Sequence, residues 1–360
     1  MYRLFLLLVL SLFALACSSG GTVDAGMDGP MEDAGNPDAG VDANTDTDAD
    51  AGTTTDQDPI DASTGPDADD GASGVQTIGG CQIFPADNMW NTPIDTAELH
   101  PLSDTYIQSI GPDTQLHPDF GTEWQGYLLG IPYTTVPDDQ AMVDTVFEYN
   151  DESDPGPYPI PADAPIEGGP DADGDRHVIV VREGACILYE MYAAYPQEDG
   201  SWEAGSGAIW QLDQNEVRPQ DWTSADAAGL AILPGLLRWE EVYETGEIKH
   251  AMRVTLSYIQ HAYILPATHS DGQCGYDRDC PPMGLRLRLK ASFDESGFDE
   301  ALQIIFRGMK KYGLVVADTG GDMFVSGAHD MRWDDSLLHD FHQLSASDFE
   351  AVYTGDSIDY

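Results

Sequence analysis

Three carboxylates stand beside apolar strands or glycine turns, where a buried acid is costly unless it has a partner. Glu190 lies in the run Cys186-Ile-Leu-Tyr-Glu-Met-Tyr192, and alternation along a strand places it on the same face as Leu188 and Tyr192. Burial raises the pKa of a carboxyl group, which suits a general acid near neutral pH. The alternative is a glutamate on an edge strand that faces solvent.

Glu167 and Asp318 are the candidate partners of Glu190. Glu167 lies in Pro165-Ile-Glu-Gly-Gly169, where glycines permit close approach of a ligand. Asp318 follows the apolar run Leu314-Val-Val-Ala317 and precedes Thr-Gly-Gly. Two carboxylates across a sugar suffice for glycoside hydrolysis, and their separation decides the stereochemical outcome. Both residues also fit ordinary loop and turn positions.

Aromatic side chains could bind sugar rings by stacking on them. Trp202 lies in a polar loop, where we expect it to be exposed, and Tyr192 shares the face of Glu190. Trp222 is a further candidate, whereas we expect Trp210 and Trp239 in the core.

Three cations alternate with leucines in residues 283–290, in a chain with only 15 Lys+Arg. Because acids are in excess, the simpler interpretation is that Arg286, Arg288 and Lys290 pair with carboxylates. The alternative is a site for a uronate. There Arg288 would neutralise the substrate carboxylate while a histidine removes the adjacent proton, as in a polysaccharide lyase. The candidate histidines are His250, His261 and His269.

The sequence requires no cofactor, but calcium is a possible ligand. Asp171, Asp173 and Asp175 alternate as the acids of a calcium loop do, although the later glutamate of an EF-hand is missing. A surface turn is the alternative. The sequence contains no Gly-x-Ser-x-Gly elbow, Walker loop, dinucleotide-binding glycine motif or His-Glu-x-x-His motif, so those enzyme classes have no support.

The composition of the chain limits the classes of molecule that it can bind. The 360 residues include 64 Asp+Glu and carry a formal net charge of −49. Nucleic acid is therefore excluded as a partner, because phosphate binding needs clustered Lys and Arg. A polysaccharide remains the expected partner, and we expect contact with a membrane only through an N-terminal lipid.

The first 80 residues differ from the rest of the chain. Residues 1–17 have a basic start and an apolar run typical of a signal peptide. The ending Ala14-Leu-Ala-Cys17 resembles the lipobox of bacterial lipoproteins, which implies lipidation of Cys17 and export to the outer membrane or cell surface. An ordinary secretory signal is the alternative. Residues 18–80 contain fifteen acids, no Lys or Arg and repeated Asp-Ala-Gly, which indicates a disordered, extended tether.

Residues 81–360 are expected to form one domain with four cysteines. An even number of cysteines in an exported chain favours disulfides. Cys274 and Cys280 flank a short polar loop and are expected to pair, which leaves Cys81 for Cys186. A zinc site made of all four thiolates is the alternative.

Strands outnumber helices in this region. The patterns predict strands in residues 143–149, 176–182, 186–195, 208–212, 251–258, 285–290, 314–317 and 323–326. They predict helices in residues 235–245, 298–312 and 335–344, and residues 223–226 read as another helix start. We therefore expect a mainly β fold with inserted helices, a single domain of β-sandwich or jelly-roll-like architecture.

Four segments resemble a group of secreted bacterial proteins, and the resemblance covers most of residues 81–360 but carries no activity to this chain. They are Arg218-Pro-Gln-Asp-Trp-Thr-Ser-Ala-Asp-Ala-Ala-Gly-Leu230, Leu233-Pro-Gly-Leu236, Pro281-Pro-Met-Gly-Leu-Arg-Leu-Arg-Leu-Lys290 and Lys311-Tyr-Gly-Leu-Val-Val-Ala-Asp318. The tether resembles those of myxobacterial surface lipoproteins.

Together these patterns predict a surface lipoprotein that acts on an extracellular polysaccharide. We expect glycoside hydrolysis by Glu190 with either Glu167 or Asp318. A lyase acting on a uronate polymer and a non-catalytic carbohydrate-binding or structural protein are the alternatives.

Overall fold

Strands make up most of the regular structure in residues 74–360, the part of the chain that this computed structural model describes. These residues belong to one structural unit, Ala68–Tyr360. The prediction of a mainly β domain with inserted helices is confirmed. The predicted signal peptide, the lipidation site Cys17 and the tether up to residue 73 lie outside the described residues.

The strands follow one another in short segments, many of them only two or three residues long. In chain order they are β1 (Thr77–Ile78), β2 (Cys81–Gln82), β3 (His117–Asp119), β4 (Glu123–Trp124), β5 (Tyr127–Leu128), β6 (Tyr133–Val136), β7 (Thr145–Phe147), β8 (Val178–Arg182), β9 (Ile187–Tyr192), β10 (Tyr195–Pro196), β11 (Trp202–Ala204), β12 (Ser206–Gln211), β13 (Met252–Leu256), β14 (Ala262–Tyr263), β15 (Arg286–Leu289), β16 (Leu314–Thr319), β17 (Phe324–Ser326), β18 (Phe349–Val352) and β19 (Ile358–Asp359).

Helices are few and short within residues 74–360. The α-helices are α1 (Ser103–Ile110), α2 (Glu300–Lys311) and α3 (Asp335–Leu338). Short 3₁₀ turns span Leu233–Gly235, His339–Gln343 and Ala346–Asp348, and a π turn spans Glu241–Thr245. None of the helices in this part of the chain is long and apolar enough to cross a membrane.

Two larger sheets carry the fold, and both mix parallel and antiparallel neighbours. The first has the strand order β18-β15-β16-β13-β17-β3, in which β13 is parallel to β16 and antiparallel to β17. The second has the order β12-β9-β8-β6, in which β8 is antiparallel to β9 and parallel to β6. A smaller sheet has the order β10-β11-β7.

The four-stranded sheet is buried on both faces. Along β8, Ile179 and Val181 pack into the larger core with residues of the six-stranded sheet. Val178 and Val180 face a smaller core beside the β10-β11-β7 sheet. The same alternation in β9 places Glu190 on the side of the larger core, so that its carboxylate lies between the two sheets.

A change of register marks the pairing of β13 with β16. Val254 pairs with Val316, but the next residue, Thr255, pairs with Asp318, which leaves Ala317 as an extra residue. Such a bulge bends a strand and changes the direction of the side chains that follow it. Asp318 therefore owes its orientation to this irregularity rather than to regular alternation.

All eight strand regions predicted from the sequence contain a strand, namely β7, β8, β9, β12, β13, β15, β16 and β17. The predicted helix at 298–312 is confirmed as α2, where the Asp299 side chain accepts a hydrogen bond from the Ala301 backbone N–H. Asp334 caps α3 in the same way, and 3₁₀ structure continues through Gln343. The sequence patterns missed α1, which buries Tyr106, Ile107 and Ile110.

The predicted helix at 235–245 is confirmed only in its second half. The chain makes one 3₁₀ turn, is extended at Leu236, and returns to helical geometry at residue 239, with the π turn at Glu241–Thr245. The Leu237 backbone N–H donates to the carbonyl of Ser326, so pairing with the end of β17 replaces the helical hydrogen bonds. The helix start expected at residues 223–226 is also wrong, because that segment forms a loop.

Two disulfides join the cysteine pairs predicted from the sequence, Cys81–Cys186 and Cys274–Cys280. The four-thiolate zinc site is thereby excluded. Regular packing is already present a few residues before Cys81, since Val75 is buried and β1 pairs with β2.

Candidate functional site

Six ionisable side chains from distant parts of the chain meet near the ends of β3, β8 and β16. Their mutual contacts and electrostatic interactions define what we call the charge cluster, which comprises Asp119, Glu167, His177, Asp226, Arg253 and Asp318. Four of the six are acids, so the cluster carries more negative than positive charge.

Arg253 is the centre of the charge cluster. It lies in β13 and is only 2% exposed. Its Nε and Nη2 atoms donate to Oδ2 of Asp226 at 2.8 and 2.6 Å, and its Nη1 atom donates to Oγ of Ser326 at 2.9 Å. The Nη2 atom also lies 3.3 Å from Oδ2 of Asp318. One buried guanidinium thus serves two carboxylates, and Asp226 has the shorter contacts.

Hydrogen bonds within its own loop hold Asp226 in place, in addition to its contact with Arg253. Its Oδ1 atom accepts the backbone N–H of Ala228 at 2.9 Å, which closes an Asx turn. Its backbone carbonyl accepts hydrogen bonds from the hydroxyls of Thr223 and Ser224. Because the side chain is fully enclosed, Asp226 supports the site and does not meet solvent.

Asp318 takes the weaker contact with Arg253, and its pKa is raised to about 7. Burial is the main cause, and repulsion from Asp226 and Asp271 adds to it, while the positive charge of Arg253 acts in the opposite direction. Oδ1 of Asp318 accepts the Thr319 backbone N–H at 2.8 Å. The side chain is 22% exposed, so part of it reaches solvent.

The pKa of Glu167 shifts in the opposite direction. The charge and hydrogen bonds of His177 hold its pKa below the usual range despite burial. The Nδ1 atom of His177 lies 2.6 Å from Oε2 of Glu167, and the pKa of His177 is raised to about 9 because Glu167 outweighs the burial of the ring. Glu167 is 23% exposed and stays ionised at neutral pH. Two acids that solvent can reach therefore have opposite preferences for a proton: Asp318, which contacts Arg253, and Glu167, which Arg253 affects only electrostatically.

Asp119 adds a third acid that solvent can reach. It is the last residue of β3 and its side chain is exposed, although protein surrounds it on most sides. Burial and the nearby charge of Glu167 raise its pKa to about 6, against the influence of Arg253.

Glu190 is in the core rather than at this surface. It is fully buried, and its carboxylate accepts N–H groups from Trp210 at 3.1 Å, Ile232 at 3.0 Å and Leu233 at 2.8 Å. Burial raises its pKa to about 7, and these hydrogen bonds oppose the rise. Of the two positions that the sequence left open, the structure has the buried one. The Ile232 and Leu233 N–H groups connect the 3₁₀ turn Leu233–Gly235 to β9 through this carboxylate, and Trp210 of β12 donates to it from the neighbouring strand.

The predicted sugar platform at Trp202 is wrong. This side chain is 4% exposed because β11 pairs with β7 and turns the ring into the smaller core. Trp210 is buried as expected, whereas Trp239 is half-buried between Tyr243 and Arg332. Tyr192 is half-buried with its ring 5.8 Å from that of His177, so it does lie beside the charge cluster.

Exposed aromatic rings occur instead in a hairpin that the sequence patterns missed. Trp124 is 63% exposed and Tyr127 is 50% exposed, on the paired strands β4 and β5. Leu128 of this hairpin forms a β-bridge with Gly168, the residue after Glu167. Two exposed aromatic residues thus flank the loop that carries an acid of the charge cluster.

The residues of the lyase hypothesis are not brought together. Arg288 donates to Oε1 of Glu350 at 2.9 Å and to backbone carbonyls, as the simpler interpretation predicted. His250 is fully buried, 3.1 Å from Oε2 of Glu241. His269 is half-buried, and its Nδ1 atom lies 2.6 Å from the carbonyl of Ala227.

The calcium hypothesis finds no preformed site. Asp171, Asp173 and Asp175 are exposed. Within residues 74–360, no group of three or more His, Cys, Asp or Glu side chains is arranged to hold a metal ion.

The sequence analysis missed Arg253 and His177, although a signal existed for each. Arg253 interrupts the apolar run Ala251-Met-Arg-Val-Thr-Leu256, in a chain that has few cations. A buried arginine in such a strand needs an acid nearby, which is the same argument that identified Glu190. His177 begins an apolar strand and could have been considered on the same ground.

Comparison of this chain with protein-family models, with curated proteins and with solved structures found no match.

Proposed function

We propose that this chain hydrolyses glycosidic bonds of an extracellular polysaccharide, with Asp318 as the general acid and Glu167 as the ionised carboxylate. The observation that carries the proposal is the opposite protonation preference of these two acids, both of which reach solvent. Environments that separate the pKa values of two carboxyl groups are typical of an acid–base pair. Glu190 has no part in the pair, because its carboxylate is enclosed.

Asp318 supplies the proton for the leaving group. A carboxyl group with a pKa of about 7 is half-protonated at neutral pH, so it can protonate the glycosidic oxygen as the bond to the sugar breaks. Burial is the main cause of this raised pKa, Asp226 raises it further and Arg253 lowers it, and the bulge at Ala317 changes the direction in which the side chain leaves the strand.

Glu167 either attacks the sugar ring as a negatively charged nucleophile or activates a water molecule as a base. His177 keeps it ionised and fixes one of its oxygens, which leaves the other free for substrate or water. The distance between the carboxyl groups of Glu167 and Asp318 across a bound sugar determines whether Glu167 acts as nucleophile or as base.

The surroundings favour a neutral polysaccharide over a uronate polymer. Acids outnumber bases in the charge cluster, and they would repel a substrate carboxylate. Arg288, the residue that a lyase would need, is already neutralised by Glu350. The exposed rings of Trp124 and Tyr127 offer stacking surfaces next to Glu167, as neutral sugars require.

The same proposal places the protein at the cell surface, anchored by a lipid on Cys17. It is supported by the lipobox-like sequence Ala14-Leu-Ala-Cys17 and by two disulfides, which are typical of exported proteins. Mass spectrometry of the mature N-terminal peptide tests it: an acylated Cys17 supports the anchor, and an N-terminus elsewhere contradicts it.

The activity is tested with full-length protein in detergent and a panel of neutral and uronic-acid polysaccharides. We expect new reducing ends without unsaturated products, and loss of at least about a hundredfold in rate for Asp318→Asn and for Glu167→Gln. Asp113→Asn, which removes one exposed aspartate, is the matched control and should leave the rate unchanged.

Each alternative has its own signature in this assay. Unsaturated products would identify a lyase and contradict the proposal. Retardation on a polysaccharide gel without any product would identify a binding protein. Full activity of Asp318→Asn would remove that residue from catalysis.

A further inference from the structure

Arg286 is a buried cation without a carboxylate. It lies in β15, is 3% exposed, and burial alone accounts for the change in its pKa, which falls to about 10. Arg288, two residues further along the same strand face, has Glu350 as its counterion. Of the two arginines on this face, Arg286 therefore lacks a balancing charge among the described residues.

Backbone carbonyls occupy only part of the Arg286 guanidinium. Nη1 donates to the carbonyl of Met89 at 2.9 Å, and Nη2 donates to those of Thr92 and Tyr312. The Nε atom is buried, and no group in the described part of the chain accepts a hydrogen bond from it. Carbonyls carry no net charge, so the positive charge stays uncompensated in a region where burial of charge is costly.

A pocket of about 500 Å³ is lined by Arg286. Its walls are mainly apolar and include Phe84, Met89, Trp210 and Leu230. This volume is within the usual range for small-molecule sites, which combine apolar walls with a few placed polar groups.

Two loops that line the pocket and carry exposed residues are joined by side-chain hydrogen bonds. Asn88 donates to Oδ1 of Asn215 at 3.0 Å, and Asn215 donates to Oδ1 of Asp87 at 2.8 Å. Asp87 and Glu216 are exposed acids in these loops. Their negative charges repel a ligand with several anionic groups more strongly than a ligand with one. A ligand with a single anionic group is therefore favoured.

We propose that this pocket binds a small organic carboxylate with an apolar body, whose carboxylate contacts Arg286. The apolar walls take the body of the ligand, and the carboxylate provides the counterion that Arg286 lacks within residues 74–360. The site contains none of the residues of the charge cluster, so it does not depend on the proposed hydrolysis.

The test compares two ligands of the same shape. Full-length protein is titrated by calorimetry with 3-phenylpropanoate and with its neutral counterpart, 3-phenylpropanamide. We expect the carboxylate to bind at least about tenfold more tightly, because only it forms charge-assisted hydrogen bonds with Arg286. It should also raise the midpoint of thermal unfolding, since it binds the folded state.

Two variants locate the binding site. Arg286→Lys should remove the preference for the carboxylate, but it also loses contacts with three carbonyls and could fail to fold. Val217→Trp therefore serves as the second variant, because Val217 lines the pocket and is 50% exposed. We expect it to narrow the pocket and weaken carboxylate binding about tenfold or more. Val146→Trp, at an exposed valine of β7, is the control and should bind as the parent protein does.

Three outcomes overturn the proposal. The first is equal affinity for the carboxylate and the amide. The second is no saturable binding of the carboxylate up to about 10 mM. The third is unchanged carboxylate binding in Val217→Trp, which would place the ligand elsewhere.

Discussion

His177 stands between two hydrogen-bond acceptors, with Nδ1 at 2.6 Å from the Glu167 carboxylate. Its Nε2 atom lies 3.0 Å from the carbonyl of Ala225. A neutral imidazole has one donor nitrogen, whereas imidazolium has two. Both neighbours can only accept, so the imidazolium form alone satisfies both contacts. This agrees with the raised pKa of His177, and it explains how an enclosed ring keeps Glu167 ionised.

The first prediction concerns the pH dependence of stability. The pKa of His177 rises from 6.5 to about 9, so the stability it contributes is complete below pH 6.5 and is lost as pH rises through 9. The pKa of Glu167 is lowered from 4.5, so its contribution is present above pH 4.5 and is lost on acidification. We therefore expect Glu167→Gln to lower the free energy of unfolding most above pH 4.5 and below pH 9, where both residues are charged.

This prediction is checked by urea unfolding of the parent protein and of Glu167→Gln from pH 4 to pH 9.5. Glu198→Gln, at an exposed site, is the control and should show no such window. A destabilisation that is constant with pH would contradict the imidazolium assignment.

The second prediction concerns the buried ion pair of Arg253 and Asp226. Arg253→Met leaves Asp226 enclosed without a counterion and should lower the free energy of unfolding by about 3–5 kcal/mol. Adding Asp226→Asn should recover part of that loss, because the uncompensated charge is gone. Arg278→Met, which breaks an exposed pair with Asp359, should cost at most about 1 kcal/mol. Equal losses in the two single arginine variants, measured by urea unfolding, would refute this account.

The third prediction separates Glu190 from catalysis. Glu190→Ala leaves the N–H groups of Trp210, Ile232 and Leu233 without an acceptor and should cost about 3 kcal/mol or more. Polysaccharide hydrolysis by the fraction that remains folded should be unchanged. Circular dichroism and rate measurements on the same sample check both parts. A folded variant without activity would return Glu190 to the reaction.

The fourth prediction concerns the aromatic residues. Trp124→Ala should weaken retention on the bound polysaccharide about tenfold and leave stability nearly unchanged, because the ring is exposed. Trp202→Ala should do the reverse, with a loss of about 3–5 kcal/mol from the smaller core. Affinity gel electrophoresis and urea unfolding distinguish the two, and normal retention of Trp124→Ala would exclude it as a sugar platform.

The fifth prediction ranks the disulfides. Replacing Cys81 and Cys186 with alanine opens a loop with a sequence separation of 105, which should cost about 4–5 kcal/mol. Replacing Cys274 and Cys280, separated by 6, should cost about 2 kcal/mol. Chemical unfolding of both double variants gives the order, and the reverse order would show that chain entropy does not dominate here.

Local signals predicted local features of this fold. Apolar alternation identified eight strand regions, and the even number of cysteines together with the short loop between Cys274 and Cys280 gave both disulfides. Non-local pairing escaped these signals. Leu237 pairs with the end of β17, about ninety residues away, so the local helix pattern failed there. The expectation that Trp202 is exposed failed for the same reason. Trp202 lies in β11, which pairs with β7, a strand from a distant part of the chain.

The candidate site was predicted in part. Glu167 and Asp318 were identified from glycines and strand ends, and both lie in the charge cluster. The partner assigned to them, Glu190, is held by backbone N–H groups more than forty residues away, which no local pattern shows. Arg253 gives no local sign of its role, because the apolar period of its strand indicates a core strand but not which distant acid its one charge contacts.

The Cys81–Cys186 bond also determines how the domain responds to a mechanical load. The chain enters through β1 and β2, two strands of two residues each, which would peel apart under a small force. Because Cys81 is covalently joined to the turn between β8 and β9, a pull on the chain before it passes directly into the four-stranded sheet. A force applied there therefore loads a sheet that is buried on both faces, and the cross-link bypasses the two short strands β1 and β2.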